Sequence, residues 1–295
     1  MRPRFDGRGL CYIGRVRALV WIGAAGGVVI LLSLWIFWMS VRPPRLAVDG
    51  TPRDYRLAAE DLTLTTADGV KLAAWLIPSA AAAAPAVVVL HGYPANKADL
   101  LPIAGALHGR FTVLLVDFRY FGGSEGRATT LGFRERADLR AAVDALVQRG
   151  HTRIGVFGYS LGGAVALMGA AEDPRVRAVA AWAPFADLRV LARDLYGGVW
   201  LLKYPLVELM VLWGRLFLGA DITRPSPETA ARHLTIPVQL WASRDDDQIP
   251  FAHAERLQRA LAHNPRAEFE FGGGRHNERD TDFERRLAEF FARTL

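Results

Sequence analysis

A single cysteine, Cys11, stands among the 295 residues, so no internal disulfide is available. No apolar stretch precedes it, which argues against a lipoprotein cleavage site, and it reads as incidental or as an acylation point. Cysteine and histidine never recur at zinc-ligand spacing, so no zinc is expected. Also missing is a basic stripe interleaved with aromatics, the signature of single-strand nucleic-acid binders. The net charge is +6, but Arg2, Arg4, Arg8, Arg15 and Arg17 against Asp6 put most of it in the first 17 residues. Nucleic acid is therefore not an expected partner. No internal repeat is present.

What the chain does have is apolar content: 51% of residues are hydrophobic. Residues 19–39, from Leu19 to Met39, carry no charge. Such a run is about 31 Å long as a helix, matching the hydrocarbon thickness of a bilayer. Trp21 lies near one end and Trp35 and Trp38 near the other, as interfacial aromatics do. The run is longer than a signal-peptide core and leads into Ser40-Val41-Arg42-Pro43-Pro44-Arg45, a poor cleavage site. An uncleaved signal anchor is expected, preceded by a basic arm (1–18) and followed by a linker (40–60). Five arginines before the span outweigh Arg42 and Arg45 after it, which places the N-terminus in the cytoplasm and the remaining domain outside it. Gly23 and Gly27 form a G-x-x-x-G pair, more simply read as chance in a glycine-rich span.

Residues 61–295 read as one α/β domain. Asp61–Thr66 and Leu72–Ile77 flank Asp68-Gly69, a hairpin signal. The alanines 80–84 between Pro78 and Pro85 are too few to nucleate a helix and are expected as loop. Apolar runs then alternate with helix-length segments: Ala86–Leu90, Thr112–Val116, Arg153–Phe157, Arg177–Trp182, Pro237–Trp241 and Ala267–Phe271. Uninterrupted apolar strands between helices imply a mostly parallel sheet covered on both faces, with the hairpin as an antiparallel edge. One helix is expected over Leu131–Arg149, capped by Thr130 and closed by Gly150. About fifty residues separate Trp182 from Pro237, more than one βα unit needs. Their middle, Gly198–Gly219, is rich in Trp, Leu, Val and Phe, but Lys203, Pro205, Glu208 and Arg215 interrupt it. That pattern suits a helical cap inserted at about 185–232 better than a second membrane span.

The chemistry centres on Gly158-Tyr159-Ser160-Leu161-Gly162, directly after one apolar run and before a helix. In that context G-x-S-x-G describes a nucleophile elbow, with Ser160 exposed at a strand end and a helix N-terminus aimed at it. An attacking serine needs oxyanion donors, a base and an orienting carboxylate. The backbone N–H of Leu161 supplies one donor, and that of Tyr93, in His91-Gly92-Tyr93-Pro94, supplies the other; His91 itself is expected to be structural. His276, in a glycine-rich loop after the last apolar run, fits the base. His108, His151, His233, His253 and His263 fall in helical or connecting segments and are expected to be solvated or satisfied locally. The carboxylate belongs in the loop holding Asp245, Asp246 and Asp247, among which spacing alone does not choose.

From about Leu62 onward the sequence resembles the α/β-hydrolases of the serine-aminopeptidase and monoacylglycerol-lipase-like branch. The resemblance rests on HGYP (91–94), Asp117–Gly126, GYSLGG (158–163), Asp246-x-x-Ile-Pro250 and His276. It implies an α/β-hydrolase fold and a triad of Ser160, Asp246 and His276, with Asp246 selected by its distance from the Ile-Pro pair. It also implies that Asp117–Gly126 is structural support. Two residues depart from the pattern: Tyr120 occupies the usual first glycine of that loop, and Ser243 stands where a glycine commonly precedes the acid.

The expected activity is acyl transfer to water through an acyl-enzyme, on an ester with an apolar or lipid-like acyl group. This serine chemistry requires neither metal nor organic cofactor. A serine aminopeptidase or an acyltransferase would use the same triad, and a tethered binding protein on a hydrolase scaffold is the non-enzymatic alternative. The expected partners are that substrate and the lipid bilayer.

Overall fold

The computed structural model describes residues 7–81 and 83–295, without side-chain detail for 7–14 and 16. Arg2, Arg4, Asp6 and Ala82 therefore lie outside the described residues, as do the side chains of Arg8 and Cys11.

Eight strands form one sheet in the order β1-β2-β4-β3-β5-β6-β7-β8. They are β1 (Glu60–Thr65), β2 (Lys71–Ile77), β3 (Ala86–Leu90), β4 (Thr112–Val116), β5 (Ile154–Tyr159), β6 (Val176–Trp182), β7 (Val238–Ser243) and β8 (Ala267–Gly272). The β1–β2 and β2–β4 pairs are antiparallel, and every other pair is parallel. The expected hairpin and parallel sheet are thus both present. In β3 every residue is buried, because successive side chains point to opposite faces and each face has a helical cover. Val88 and Leu90 pack toward α3 (Glu135–Gln148) and α4 (Leu161–Glu172). Val87 and Val89 pack toward α2 (Leu101–Leu107) and the C-terminal α9 (Phe283–Thr294).

Between β6 and β7 the chain leaves the sheet for α5 (Leu188–Leu195), α6 (Lys203–Leu218) and α7 (Pro227–Ala231), the inserted cap. The remaining helices are α1 (Gly7–Val41) and α8 (Ala252–Ala260). Within α1, Arg17–Val41 is long and apolar enough to cross a membrane.

One local expectation needs correction. Helix α3 begins at Glu135, not Leu131, and Thr130 does not cap it. The Glu135 carboxylate instead accepts from Thr129 Oγ1 (2.6 Å), Thr130 Oγ1 (2.6 Å), Thr130 N (2.8 Å) and Gly132 N (2.9 Å), gathering this stretch into a loop. Leu131 at φ +53° and Gly132 at φ +111° cannot belong to a right-handed helix. Gly150, at φ +88°, does close the far end. The expected linker, residues 40–60, lies against the domain. Tyr93 Oη donates to the Ser40 carbonyl (3.1 Å), Tyr120 Oη to that of Pro43 (2.6 Å) and Asn96 Nδ2 to that of Ala47 (3.0 Å), laying the segment along the domain.

Candidate active site

Ser160 sits between β5 and α4 at φ +51°, a conformation non-glycine residues rarely adopt. Two neighbours explain how so tight a turn is possible. A β-carbon on Gly158 would lie 2.1 Å from the Gly162 carbonyl oxygen, and one on Gly162 would lie 2.3 Å from that of Leu90. Strand, helix and the end of β3 therefore meet at distances that only glycine permits. The Ser160 N–H is held by the Trp182 carbonyl at 2.8 Å, so the turn is pinned to β6 as well.

Leu161 opens α4, and its N–H has no intrahelical acceptor. Tyr93 lies in the loop after β3. Its backbone N–H has no protein acceptor among the described residues. His91 holds that loop: Nδ1–H donates to the Gly92 carbonyl (2.7 Å) and Nε2 accepts the Phe118 N–H (3.0 Å). With both nitrogens occupied and the ring fully buried, His91 is structural, as expected. Burial, the largest influence, pushes its pKa below the ordinary value.

The three aspartates after β7 separate by partner. Asp246 Oδ2 lies 2.7 Å from His276 Nδ1, and its Oδ1 accepts from Gln248 N (2.8 Å) and Ile249 N (2.7 Å). Asp247 grips the same loop from outside, taking Arg275 Nη2 (2.7 Å) and the His276 N–H (3.2 Å). Asp245 donates its backbone N–H to Ser243 Oγ (3.1 Å). Ser243 Oγ also donates to the Gly274 carbonyl, so the serine in place of the usual glycine ties the acid loop to the histidine loop. The His276 carbonyl accepts from Tyr159 Oη (2.6 Å) and Trp182 Nε1 (3.2 Å), residues beside Ser160 in sequence or across the sheet. Ser160 and His276 thus lie at the same end of the sheet. Among the described residues no hydrogen bond joins Ser160 Oγ to the ring, and His276 Nε2 keeps no protein partner.

Loop 117–126 has the supporting character the sequence suggested. Asp117 accepts from Lys97 N (2.7 Å) and Gly123 N (2.9 Å), and pairs with the Lys97 ammonium. Tyr120, at the family's usual glycine, has φ +74°, which explains that preference for glycine. Its hydroxyl reaches Pro43, and Arg45 lies over its ring at 4.8 Å.

A cavity of about 380 Å³ opens beside Ser160, walled by Leu161, Leu188, Leu191, Val207, Met210 and Val211, so the cap supplies most of its lining. A second cavity of about 410 Å³ lies on the His276 side, bordered by Asp99, Tyr159, Asn277 and Arg279. Sequence reasoning missed His253, which is buried and not locally satisfied. Its Nδ1 accepts the Ala186 N–H (3.0 Å), and its Nε2 lies 3.2 Å from Asp194 Oδ2 on α5, joining α8 to the cap. No group of three or more potential metal ligands occurs among the described residues.

A glycine-flanked serine turn on this sheet, with an acid–histidine pair at the same edge, defines an α/β hydrolase, and the chain belongs to that family. Residues 85–199 match the family described as alpha/beta hydrolase fold. An uncharacterized Mycobacterium tuberculosis protein, Rv2307c, is 33% identical over 255 residues, covering 84% of this chain and 82% of its own. The Pyrococcus furiosus esterase Pf2001 superposes with a TM-score of 0.71 at 28% identity, over 86% of this chain and 99% of the esterase. A puromycin-hydrolyzing peptidase of Mycobacterium tuberculosis shares the fold alone, at 23% identity and a TM-score of 0.67, over 82% of this chain and 40% of the peptidase.

Proposed function

We propose that this protein is a membrane-anchored serine hydrolase that cleaves carboxylic esters with an apolar acyl group, in the serine-aminopeptidase and monoacylglycerol-lipase-like branch of its family. The observation that carries the reading is the apolar cap cavity with Ser160 in its wall. It offers an acyl chain a dry site beside the nucleophile, while the second, more polar cavity suits the alcohol portion.

In the proposed mechanism Ser160 Oγ attacks the ester carbonyl as His276 Nε2 takes its proton. Asp246, bonded to Nδ1, fixes the tautomer that leaves Nε2 available and stabilises the imidazolium. The Tyr93 and Leu161 N–H groups receive the oxyanion. The protonated His276 then gives its proton to the departing alcohol. Water, deprotonated by the same ring, releases the acid from Ser160. The likeness to an esterase supports ester over peptide. The apolar helix ending at Val41 supports anchorage, and the arginine asymmetry supports a cytoplasmic N-terminus.

A fluorophosphonate probe tests the nucleophile: the wild type should label and Ser160→Ala should not. Absence of labelling in folded wild type overturns the enzyme reading. A p-nitrophenyl ester chain-length series beside amino-acid anilides tests the substrate, and preference for anilides overturns the esterase assignment. A reporter fused after Leu295 that works only in the cytoplasm reverses the orientation.

A further inference from the structure

Helix α6 is apolar on three sides, and among the described residues only two of them have protein partners. One side lines the acyl cavity with Val207 and Val211. A second meets α1: Trp213 Nε1 donates to Ser33 Oγ (2.9 Å), and Phe217 packs on Phe37 and Trp38 with ring centroids 6.3 and 6.2 Å apart. The third carries Pro205, Leu209, Leu212 and Leu216, spaced by four, three and four residues, which places them in one stripe along the helix. Leu212 is 42% exposed and Leu216 63%. The charges that interrupt α6 do not break this stripe. Glu208 turns to Arg189 and Arg193 of α5, and Arg215 pairs with Asp221, both on the edge away from α1. At its start the stripe runs into the bend between α5 and α6, where Leu201 and Leu202 are exposed. There Trp200, at φ +46°, holds its indole 76% exposed.

An exposed, charge-free apolar stripe on a helix marks an interaction site. The neighbouring α1 surface, from Leu19 to Trp38, is exposed and apolar in the same way. At Phe217 it is continuous with the α6 stripe. We propose that the outer stripe of α6 lies in the same bilayer as α1, making the cap an interfacial helix with lipid on its outer side and the acyl cavity on its inner side. This inference rests on the anchor reading above. The occupant is the acyl layer of the membrane: the stripe holds no charge, and interfacial helices bind by burying such a face. One consequence is that a membrane-borne ester has only the thickness of this helix between its lipid environment and Ser160.

The test uses the full chain with Cys11→Ser, carrying one cysteine at a time: Leu212→Cys, Leu216→Cys, Leu31→Cys in α1, and Val147→Cys on exposed α3. Each is labelled with bimane and reconstituted into phosphatidylcholine–phosphatidylglycerol vesicles, with or without doxyl-labelled lipid. Doxyl lipid should quench positions 31, 212 and 216 at least twofold, while aqueous iodide quenches only position 147. Quenching at 31 by lipid but at 212 and 216 by iodide overturns the docking surface and leaves the anchor standing. Protection of 212 and 216 from both quenchers, lost when the protein is diluted among vesicles, overturns it in favour of a second copy of the chain. Absence of lipid quenching at 31 removes the anchor and the docking surface together.

Discussion

Two loops at the same end of the sheet each bury a histidine, and they leave its nitrogens differently engaged. His91 after β3 is 0% exposed, and both of its nitrogens are engaged by backbone groups. His276 after β8 is 3% exposed, yet among the described residues only Nδ1 of its ring has a protein partner, the Asp246 carboxylate. Burial is thus the same in both, and what differs is the spare nitrogen. A ring with both nitrogens satisfied has no lone pair left for chemistry and serves to hold a loop. A ring oriented by a carboxylate and left with an open acceptor can take a proton.

The largest effects should come from breaking this contrast. His276→Gln should lower ester turnover by on the order of 10⁴-fold or more with little change in melting temperature. His91→Gln should cost about 1–3 kcal/mol of stability by disturbing two buried hydrogen bonds, while turnover per folded molecule stays within about tenfold. Steady-state kinetics beside thermal melts separates the two. Equal losses of turnover would dissolve the distinction.

The adjacent aspartates sharpen it on the acid side. Asp246→Asn keeps the shape but presents an amide to Nδ1, favouring the wrong tautomer, and should lower kcat by about 10³–10⁴-fold. Asp247→Asn loses an exposed contact with Arg275 and one to the His276 N–H, and should change kcat by less than about tenfold. A reversal of the two would move the acid to Asp247.

A third comparison sets His91 and His253 together as the rings that cannot accept a proton cheaply. Each accepts a backbone N–H, from Phe118 and Ala186 respectively, and protonation would break that bond. Burial lowers the pKa of each from the ordinary 6.5. Asp117 and Asp99 at His91, and Asp194 and Asp187 at His253, oppose the shift only partly, while Lys97 and Arg256 add to it. The unfolded chain takes up protons at both sites as pH falls through 6.5, and the folded chain does so only at lower pH. Stability from these rings is therefore complete above 6.5 and declines as pH falls below it. Melts between about pH 7 and pH 5.5 should show that decline, and His253→Gln, which can still accept from Ala186 N and donate to Asp194, should shallow the slope by about one proton. An unchanged slope would show that His253 charges as easily folded as unfolded.

Much of this was readable from sequence because it is local. The elbow follows from an apolar strand, two glycines two positions either side of a serine, and a helix. The sheet follows from short apolar runs between helices, of which Ala86–Leu90 is apolar throughout. The acid was less readable, since three adjacent carboxylates differ only in where their loop points them. The start of α3 was misread because Glu135, within what looked like a helix, collects four donors from residues before it. Least visible was the docking of α1 and residues 40–60 on the domain. Those contacts join positions 49 to 180 residues apart, such as Asn96 with Ala47 and Ser33 with Trp213, and no periodicity announces them. The apolar content of 198–219 was plain, but which of its sides had partners was not.

Tyr120 gives the smallest and most specific test of how that segment is held. A tyrosine at φ +74° costs about 1–2 kcal/mol relative to a relaxed backbone, a cost glycine avoids. What offsets it is the 2.6 Å bond from its hydroxyl to Pro43 and the Arg45 guanidinium over its ring. Tyr120→Phe keeps the backbone strain and loses the hydroxyl bond, so it should be less stable by about 1 kcal/mol. Tyr120→Gly removes strain and attachment together, so its stability should stay within about 1 kcal/mol of wild type while protease sensitivity between Arg42 and Arg56 increases. If instead the phenylalanine variant is as stable as wild type and the glycine variant is no more open to protease, the aromatic ring alone occupies the position, and the segment after the anchor is held by Tyr93 and Asn96 without it.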